Sequence, residues 1–447
     1  MRTFVFFMLA ACSDKGGDSG TPTSSGTTPA DDTGGTTNTD CVEENGACVL
    51  TGTYTTDLHL TADKPWLLRS AVIIGDDSAN VTLTIDAGTK LYGESATGGF
   101  LVISRGAKIM AEGTASAPIV FSSDQLPGSR ARGDWGGVAI NGRAPINACT
   151  DGTTPCEAEG EGGTGKYGGD QAADNSGVMR YVRIEFGGTE ISPDNEINGL
   201  GLQGVGTGTT LEYIQVHRNL DDGIEFWGGG VSVKHLVITA AGDDGIDWDL
   251  GWQGRIQHAV VQQASDAGNH GMETDNNEED HLAQPTSAPI VSNLTLVGSA
   301  AIAEDNFGWV IRRGNSPQAH NVAITGFSLG CLAIRDQATF DAFAAGTSSI
   351  SHSALACTHP YEEDPEESET GTEDAVFEGD TSNHLLDDLG LSDPSNTSAP
   401  DFQPKSSSAL LGAGQAPSDS FFDTANYIGA FDGTNNWMSG WTDFPAN

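Results

Sequence analysis

"RNLDDGIEFWGG" spans residues 218–229 and "AAGDDGIDWDLG" spans residues 240–251. Both carry Asp-Asp-Gly-Ile, then an acid, then an aromatic residue, and Gly223 and Gly245 stand 22 residues apart. Aligned on this motif, further copies begin at Asn198 ("NGLGLQ"), His270 ("HGMETD") and Phe307 ("FGWVIR"). Their glycines, Gly199, Gly223, Gly245, Gly271 and Gly308, are spaced 24, 22, 26 and 37 residues apart. A second segment recurs in the same rhythm. It reads "MRYVRIEF" from 179, "LEYIQVHR" from 211, "VKHLVITA" from 233 and "IQHAVVQQ" from 256, then "VSNLTLVG" from 291, "AHNVAITG" from 319 and "ISHSALAC" from 350. Apolar residues alternate in each, which predicts a strand with one buried face. Its third position reads Tyr181, Tyr213, His235, His258, Asn293, Asn321, His352. Short strands and glycine turns repeating every twenty-odd residues predict the coils of a parallel β-solenoid. Equivalent residues then stack in columns about 4.8 Å apart. A helical solenoid needs longer stretches of 3.6 periodicity, and the chain has none.

Composition agrees. The 447 residues include 59 glycines, and aromatics make up only 7%, a mix that favours turns and strands. Sixty-two acids against 20 bases leave a formal charge of −42. That charge argues against nucleic acid or an anionic membrane surface as partner, and suits a solvated protein outside the cell.

The start, "MRTFVFFMLAAC", has one arginine, a short apolar run and Leu9-Ala10-Ala11-Cys12. It resembles a bacterial lipoprotein signal, which implies a leader over 1–11 and lipidation of Cys12; the run is too short to span a bilayer. Ser13 after the cysteine points to the outer membrane or cell surface of a bacterium. Residues 12–40 have no large apolar side chain after the cysteine and read as a flexible tether, reaching on the order of 30 Å. Setting Cys12 aside leaves six of the seven cysteines, in three sequence-local pairs: Cys41 with Cys48, Cys149 with Cys156, and Cys331 with Cys357. An even remainder in an exported chain implies disulfides, with local pairing expected although spacing does not determine connectivity.

The stretches "GDWGGVAINGRAPIN" (133–147), "DDGIEFWGG", "DDGIDWDLGWQGRIQ" (243–257), "HGMETDN" (270–276) and "YIGAFDGTNNWMSGWTDF" (427–444) carry a resemblance. The chain resembles the right-handed parallel β-helix, pectate-lyase-like superfamily, and within it a group of bacterial surface lipoproteins without established activity. The expected architecture is all-β: a parallel β-helix over 41–358, with loop insertions near 148–177 and 274–288. An acidic loop over 359–380 and a C-terminal cap over 381–447 complete it.

With Ile224, Ile246 and Met272 facing inward, parity turns Glu225, Asp247 and Glu273 outward in one column. Trp227, Asp249 and Asp275 form a second column, with Arg312 at the same offset. The carboxylates would lie roughly 5–7 Å apart, a costly arrangement without counter-charge. Calcium, which takes oxygen ligands, would suit Glu225, Asp247 and Glu273. Six residues are thus the candidate ligand-binding set: Glu225, Trp227, Asp247, Asp249, Glu273 and Asp275.

Resemblance to polygalacturonases, of the same superfamily, implies a catalytic reading instead. Asp244 would be the general acid, Asp222 and Asp243 would activate water, His270 would orient them and Arg312 would hold a substrate carboxylate. The chain departs from that pattern. No Asn-Thr precedes the first acid, Asn269 replaces the glycine before His270, and Arg313-Gly314 replaces the basic ending. Asp-Asp-Gly and Asn-His-Gly are also ordinary turn formers. A surface for glycan or envelope-polymer binding or for adhesion is therefore the first reading. A polysaccharide-degrading hydrolase is the second, and a structural stalk the third. Trp227, Trp248, Trp252 and Trp309 are candidate sugar platforms, with core packing expected for Trp248 and Trp309. Arg132-Gly133-Asp134, an integrin-type tripeptide, falls in a turn and is read as coincidence.

Overall fold

The computed structural model describes residues 41–78, 80–192, 195–303, 305–362 and 370–447. The expected leader over 1–11, Cys12 and the expected tether lie outside the described residues. Twenty-five strands form one continuous sheet, paired in parallel except where Val42–Glu44 folds back on Ala47–Tyr54. This is the parallel β-helix the periodicity predicts. One coil shows how the sequence winds it. Ile224–Trp227 lies in a first sheet, and the glycines at 228–230 turn the chain. The next strand, Ser232–Thr239, then serves two sheets, because it bends in its middle.

The bend is at His235, whose φ is 59°. Lys234 and Leu236 pair with the neighbouring coils while His235 itself pairs with nothing in the ladder. Every residue of the third-position column has the same left-handed conformation: Tyr181 (50°), Tyr213 (56°), His258 (59°), Asn293 (60°), Asn321 (57°) and His352 (47°). Ser70, at 55°, extends the feature to an early coil that the repeat alignment missed. A left-handed non-glycine residue costs about 1–2 kcal/mol. Stacking offsets this: ring centroids of Tyr181–Tyr213, Tyr213–His235 and His235–His258 are 4.3, 4.2 and 5.2 Å apart.

The inward columns make one core. Ile224, Ile246 and Met272 are fully buried, as parity requires, and so are Trp248, Trp252 and Trp309. At the corner before the first sheet, side chains sew successive coils together. Asn198 Oδ1 accepts from the Asp222 amide (2.9 Å), Asp222 Oδ1 from the Asp244 amide (2.9 Å) and Asp244 Oδ1 from the His270 amide (2.6 Å). His270 Nδ1 in turn accepts from the Phe307 amide at 3.2 Å.

Cysteine pairing is local throughout, as expected. Cys41 is bonded to Cys48, Cys149 to Cys156 and Cys331 to Cys357, with Cα–Cα distances of 5.5, 5.6 and 5.6 Å. Two of these bridges tie the ends of the solenoid to its core. Cys48 and Cys331 are fully buried there, and their partners Cys41 and Cys357 pack against it half-buried.

Three outlying segments differ from their expected form. The insertion at 148–177 contains an antiparallel hairpin, Cys156–Glu159 against Lys166–Gly169, where a plain loop was expected. The acidic stretch 359–380 contains a helix, Glu373–Phe377, which buries Phe377 against the core; residues 363–369 lie outside the described set. The C-terminal segment closes the last coil, His384–Leu385 pairing with Ala354–Leu355, but it does not stop there as a cap. It turns back along the solenoid as a strap. Asn321 bonds Gln415, Asn293 bonds Tyr427 and Gly429, Gln257 bonds Asp423 and Gln215 bonds Asp443. The reason lies in the sheet beneath. Val237, Val260, Val297, Ala323 and Ala354 form an outward apolar stripe, and the strap buries it with Phe402, Ile428, Phe431, Met438 and Trp441.

Candidate functional site

The carboxylate column lies on the first sheet. Register places Glu225 beside Asp247, Asp247 beside Glu273, and Trp227 beside Asp249. All are only partly exposed, and Asp275 is buried at 6% exposure. The column is recessed because the insertions roof it. Tyr167 of the hairpin is buried in a cluster with Ile146, Cys156 and Trp227, and Glu161 lies within 3.5 Å of Asn198. Asn147 ties one insertion to the other, its amide donating to Asn276 Oδ1 (2.9 Å) and the Pro285 carbonyl (2.9 Å). Trp227 thus packs under the hairpin, and the fully buried Trp252 offers no sugar platform.

The column is electrostatically lopsided. At one end Arg312 donates to Asp275 (2.8 Å) and to Glu273, while Arg313 reaches Asp275 (2.6 Å) and Glu278 (3.1 Å). His270 Nε2 lies 3.3 Å from Glu273. Burial raises the Glu273 pKa, but His270 and Arg312 outweigh it and hold the carboxyl below its usual range. Arg312 is therefore engaged by the column itself. At the other end Glu225, Asp247 and Asp249 have no basic partner within ion-pair distance among the described residues. Asn198 donates to Glu225 at 2.5 Å, and Asp249 Oδ1 is buried with no hydrogen-bond partner. Burial, reinforced by the neighbouring carboxylates, pushes Glu225, Asp247 and Asp249 well above the usual range. The same causes raise Asp222 and Asp244. The Tyr167 phenol is also raised, by burial first and then by Asp249, Glu225 and Glu161 beside it.

Oxygens from three overlapping triads approach within 4.8 Å of one another: Asp221, Asp222 and Asp243; Asp222, Glu225 and Asp247; and Asp244, Asp247 and Glu273. Acceptor-only groups at that spacing fit a hard divalent cation, or else share protons. Of the three calcium candidates, Glu225 and Asp247 fall in one triad, Asp247 and Glu273 in another. The five candidate catalytic residues also converge here, but with prior commitments. Asp222 and Asp244 each give one oxygen to the corner ladder and His270 gives Nδ1. Asp243 is an exposed turn residue. Arg132 and Asp134 of the integrin-type tripeptide are engaged with Asp266 (3.0 Å) and Ser123 (2.6 Å).

Sequence reading missed Tyr167, Glu161, Asn198 and Arg313. The one signal for the hairpin was the local pair Cys149 and Cys156, the second of which opens its first strand. Asn198 stands at the repeat position of Asp222, and nothing periodic marks Arg313.

Residues 52–442 match the model of a family described as a pectate-lyase like beta helix domain. No curated protein and no solved structure matches the chain.

Proposed function

Because the chain belongs to the pectate-lyase-like β-helix family, we propose that it is an exported surface protein whose roofed acidic column binds an acidic glycan or envelope polymer through a divalent cation. The observation that carries this reading is the uncompensated end of the column, where Glu225, Asp247 and Asp249 are recessed together without a base. Calcium there would satisfy the carboxylates and present its remaining coordination positions to anionic sugar oxygens. A chain of charge −42 needs such a bridge to hold a polyanion. Residues 41–447, titrated with a set of acidic polysaccharides, should bind one of them in calcium and release it in chelator, with no new reducing ends. Asp247→Asn should weaken that binding at least tenfold. Calcium-independent binding, or none with any polymer, would defeat the reading.

A hydrolase is the second reading. It is favoured by the raised Asp244, which keeps a proton available for a leaving group, with Asp222 raised beside it. New reducing ends in the same assay, abolished by Asp244→Asn or His270→Ala, would establish it over binding.

The membrane attachment we propose is a lipid on Cys12, in the outer membrane or at the cell surface of a bacterium. A Cys12→Ser chain expressed in a bacterial host should lose lipid labelling and move to the soluble exported fraction. Unchanged labelling and membrane retention would exclude that anchor.

A further inference from the structure

The strap is docked over three histidines: His217 and His258 are buried and His235 is half-buried. His217 is 2% exposed and bridges sheet and strap. Its Nε2 donates to the Pro445 carbonyl (2.8 Å), so its Nδ1 accepts from the Thr239 hydroxyl (2.7 Å), and both bonds hold for the neutral ring. His235 and His258 lie one above the other in the left-handed column. The Trp437 ring is 5.1 Å from His235 at a steep angle, and the Tyr427 ring stacks 6.5 Å from His258. Nδ1 of each is buried and makes no hydrogen bond. Nothing there is placed to receive a second ring proton.

We propose that the C-terminal strap is an acid-released element: protonation of His217, His235 and His258 undocks residues 419–447 and uncovers the apolar stripe beneath. Two cationic rings 5.2 Å apart under the strap repel each other, and Lys234 adds to the repulsion. Other groups facing these rings moderate the effect. Asp423 of the strap pairs with Lys234 at 2.9 Å and partly offsets charge on His235 and His258, as Asp432 does on His258. Around His217, Arg218 and Arg132 oppose protonation and Asp443 favours it. Tyr213 faces His235 as a neutral ring. Burial remains the largest cause at all three sites, lowering them to about 4 (His217), 3 (His235) and 4 (His258). Against a free value of about 6.5, each histidine shifts the docking equilibrium on the order of thirty-fold at pH 5. The coils themselves are not loosened by the carboxylate column in that range, since its raised acids take up protons readily. Release would expose the part of the stripe that residues 419–447 cover, including Val237 and Val260, as a new adhesive face.

The left-handed column supplies the control, because tyrosine already occupies it at 181 and 213 with the same φ. His235→Tyr with His258→Tyr therefore removes two titrations while keeping conformation and stacking. In the full chain, Ala430→Cys places a thiol on the strap and Ala259→Cys one in the solenoid core; both alanines are at most 1% exposed. Labelling with a disulfide reagent that reacts at pH 4–5, normalised to a free thiol, should accelerate at least tenfold at position 430 between pH 7 and pH 5. Position 259 should remain protected. The double tyrosine variant should show a rise at least tenfold smaller than its parent. Simultaneous opening of both positions, an unchanged response in the tyrosine variant, or protection of position 430 down to pH 4 would each overturn the proposal.

Discussion

Ile246→Asp abolishes cooperative folding of the solenoid: this is the largest single effect expected from the structure. Ile246 is fully buried and sits in register between Ile224 and Met272 in the central inward column. An aspartate there faces only apolar neighbours, and burying such a group unpaired costs several kcal/mol even after it protonates. That is a large part of the 5–15 kcal/mol typical of a folded domain. In a stack of coils each coil is stabilised by its two neighbours, so a defect at the middle interrupts the array. Leu282→Asp makes the same chemical change at a residue 74% exposed and should leave the melting temperature nearly unchanged. Circular dichroism melts of the two variants decide the matter. Comparable melts would show that the inward face has been assigned to the wrong parity.

The second large effect is a loss of stability as pH rises in the presence of a chelator. The folded-state pKa values of Asp222, Glu225, Asp244, Asp247 and Asp249 lie above their unfolded values. Acids shifted upward take up protons on folding, so stability falls as pH rises from about 4 through the raised values. Each tenfold difference in proton affinity between the folded and unfolded chain is worth about 1.4 kcal/mol, and with five groups the cumulative loss is several kcal/mol. Calcium held by the assembled column, as proposed, would restore about 2.7 kcal/mol at a hundred times its dissociation constant. Differential scanning calorimetry from pH 5 to pH 8 should show a falling melting temperature in chelator and a flat or rising one in calcium. Asp247→Asn should flatten the fall and shrink the calcium response together. Glu273 is the wrong position for this test, because Arg312 and His270 already stabilise its charge. The three strap histidines act with the opposite sign. Their folded values are depressed, so their stability contribution is complete above about 6.5 and is lost as pH falls toward 4. A calcium-insensitive melt with no fall at high pH would leave the column as scaffold.

Periodicity made the coils legible without any structure. A repeat of 22 residues with apolar alternation leaves one way to bury Ile224, Ile246 and Met272, and parity then aligns Glu225, Asp247 and Glu273. The disulfides were equally local, from Cys41 with Cys48 to Cys331 with Cys357, the widest at 26 residues. Even the Tyr/His/Asn column was visible as a pattern, although only backbone geometry revealed it as a row of left-handed bends. The environment of the acids was not legible. Whether a carboxylate on an outward column is solvated or recessed depends on what docks over it, and aperiodic segments do that docking. Tyr167 and Glu161 reach the column through a hairpin with no repeat signature, and the roof is tied by Asn147 to residues some 130 positions away. Ion pairing at the far end is shared by Arg312, which the repeat aligned with the column, and Arg313, whose offset in the motif carried no distinguishing signal. The strap is the extreme case, since Gln215 and Asp443 meet across 228 residues. Stacking between neighbouring coils is a short-range property that sequence spacing encodes directly. The return of the C-terminal segment is decided by an apolar stripe that exists only once five coils have assembled it.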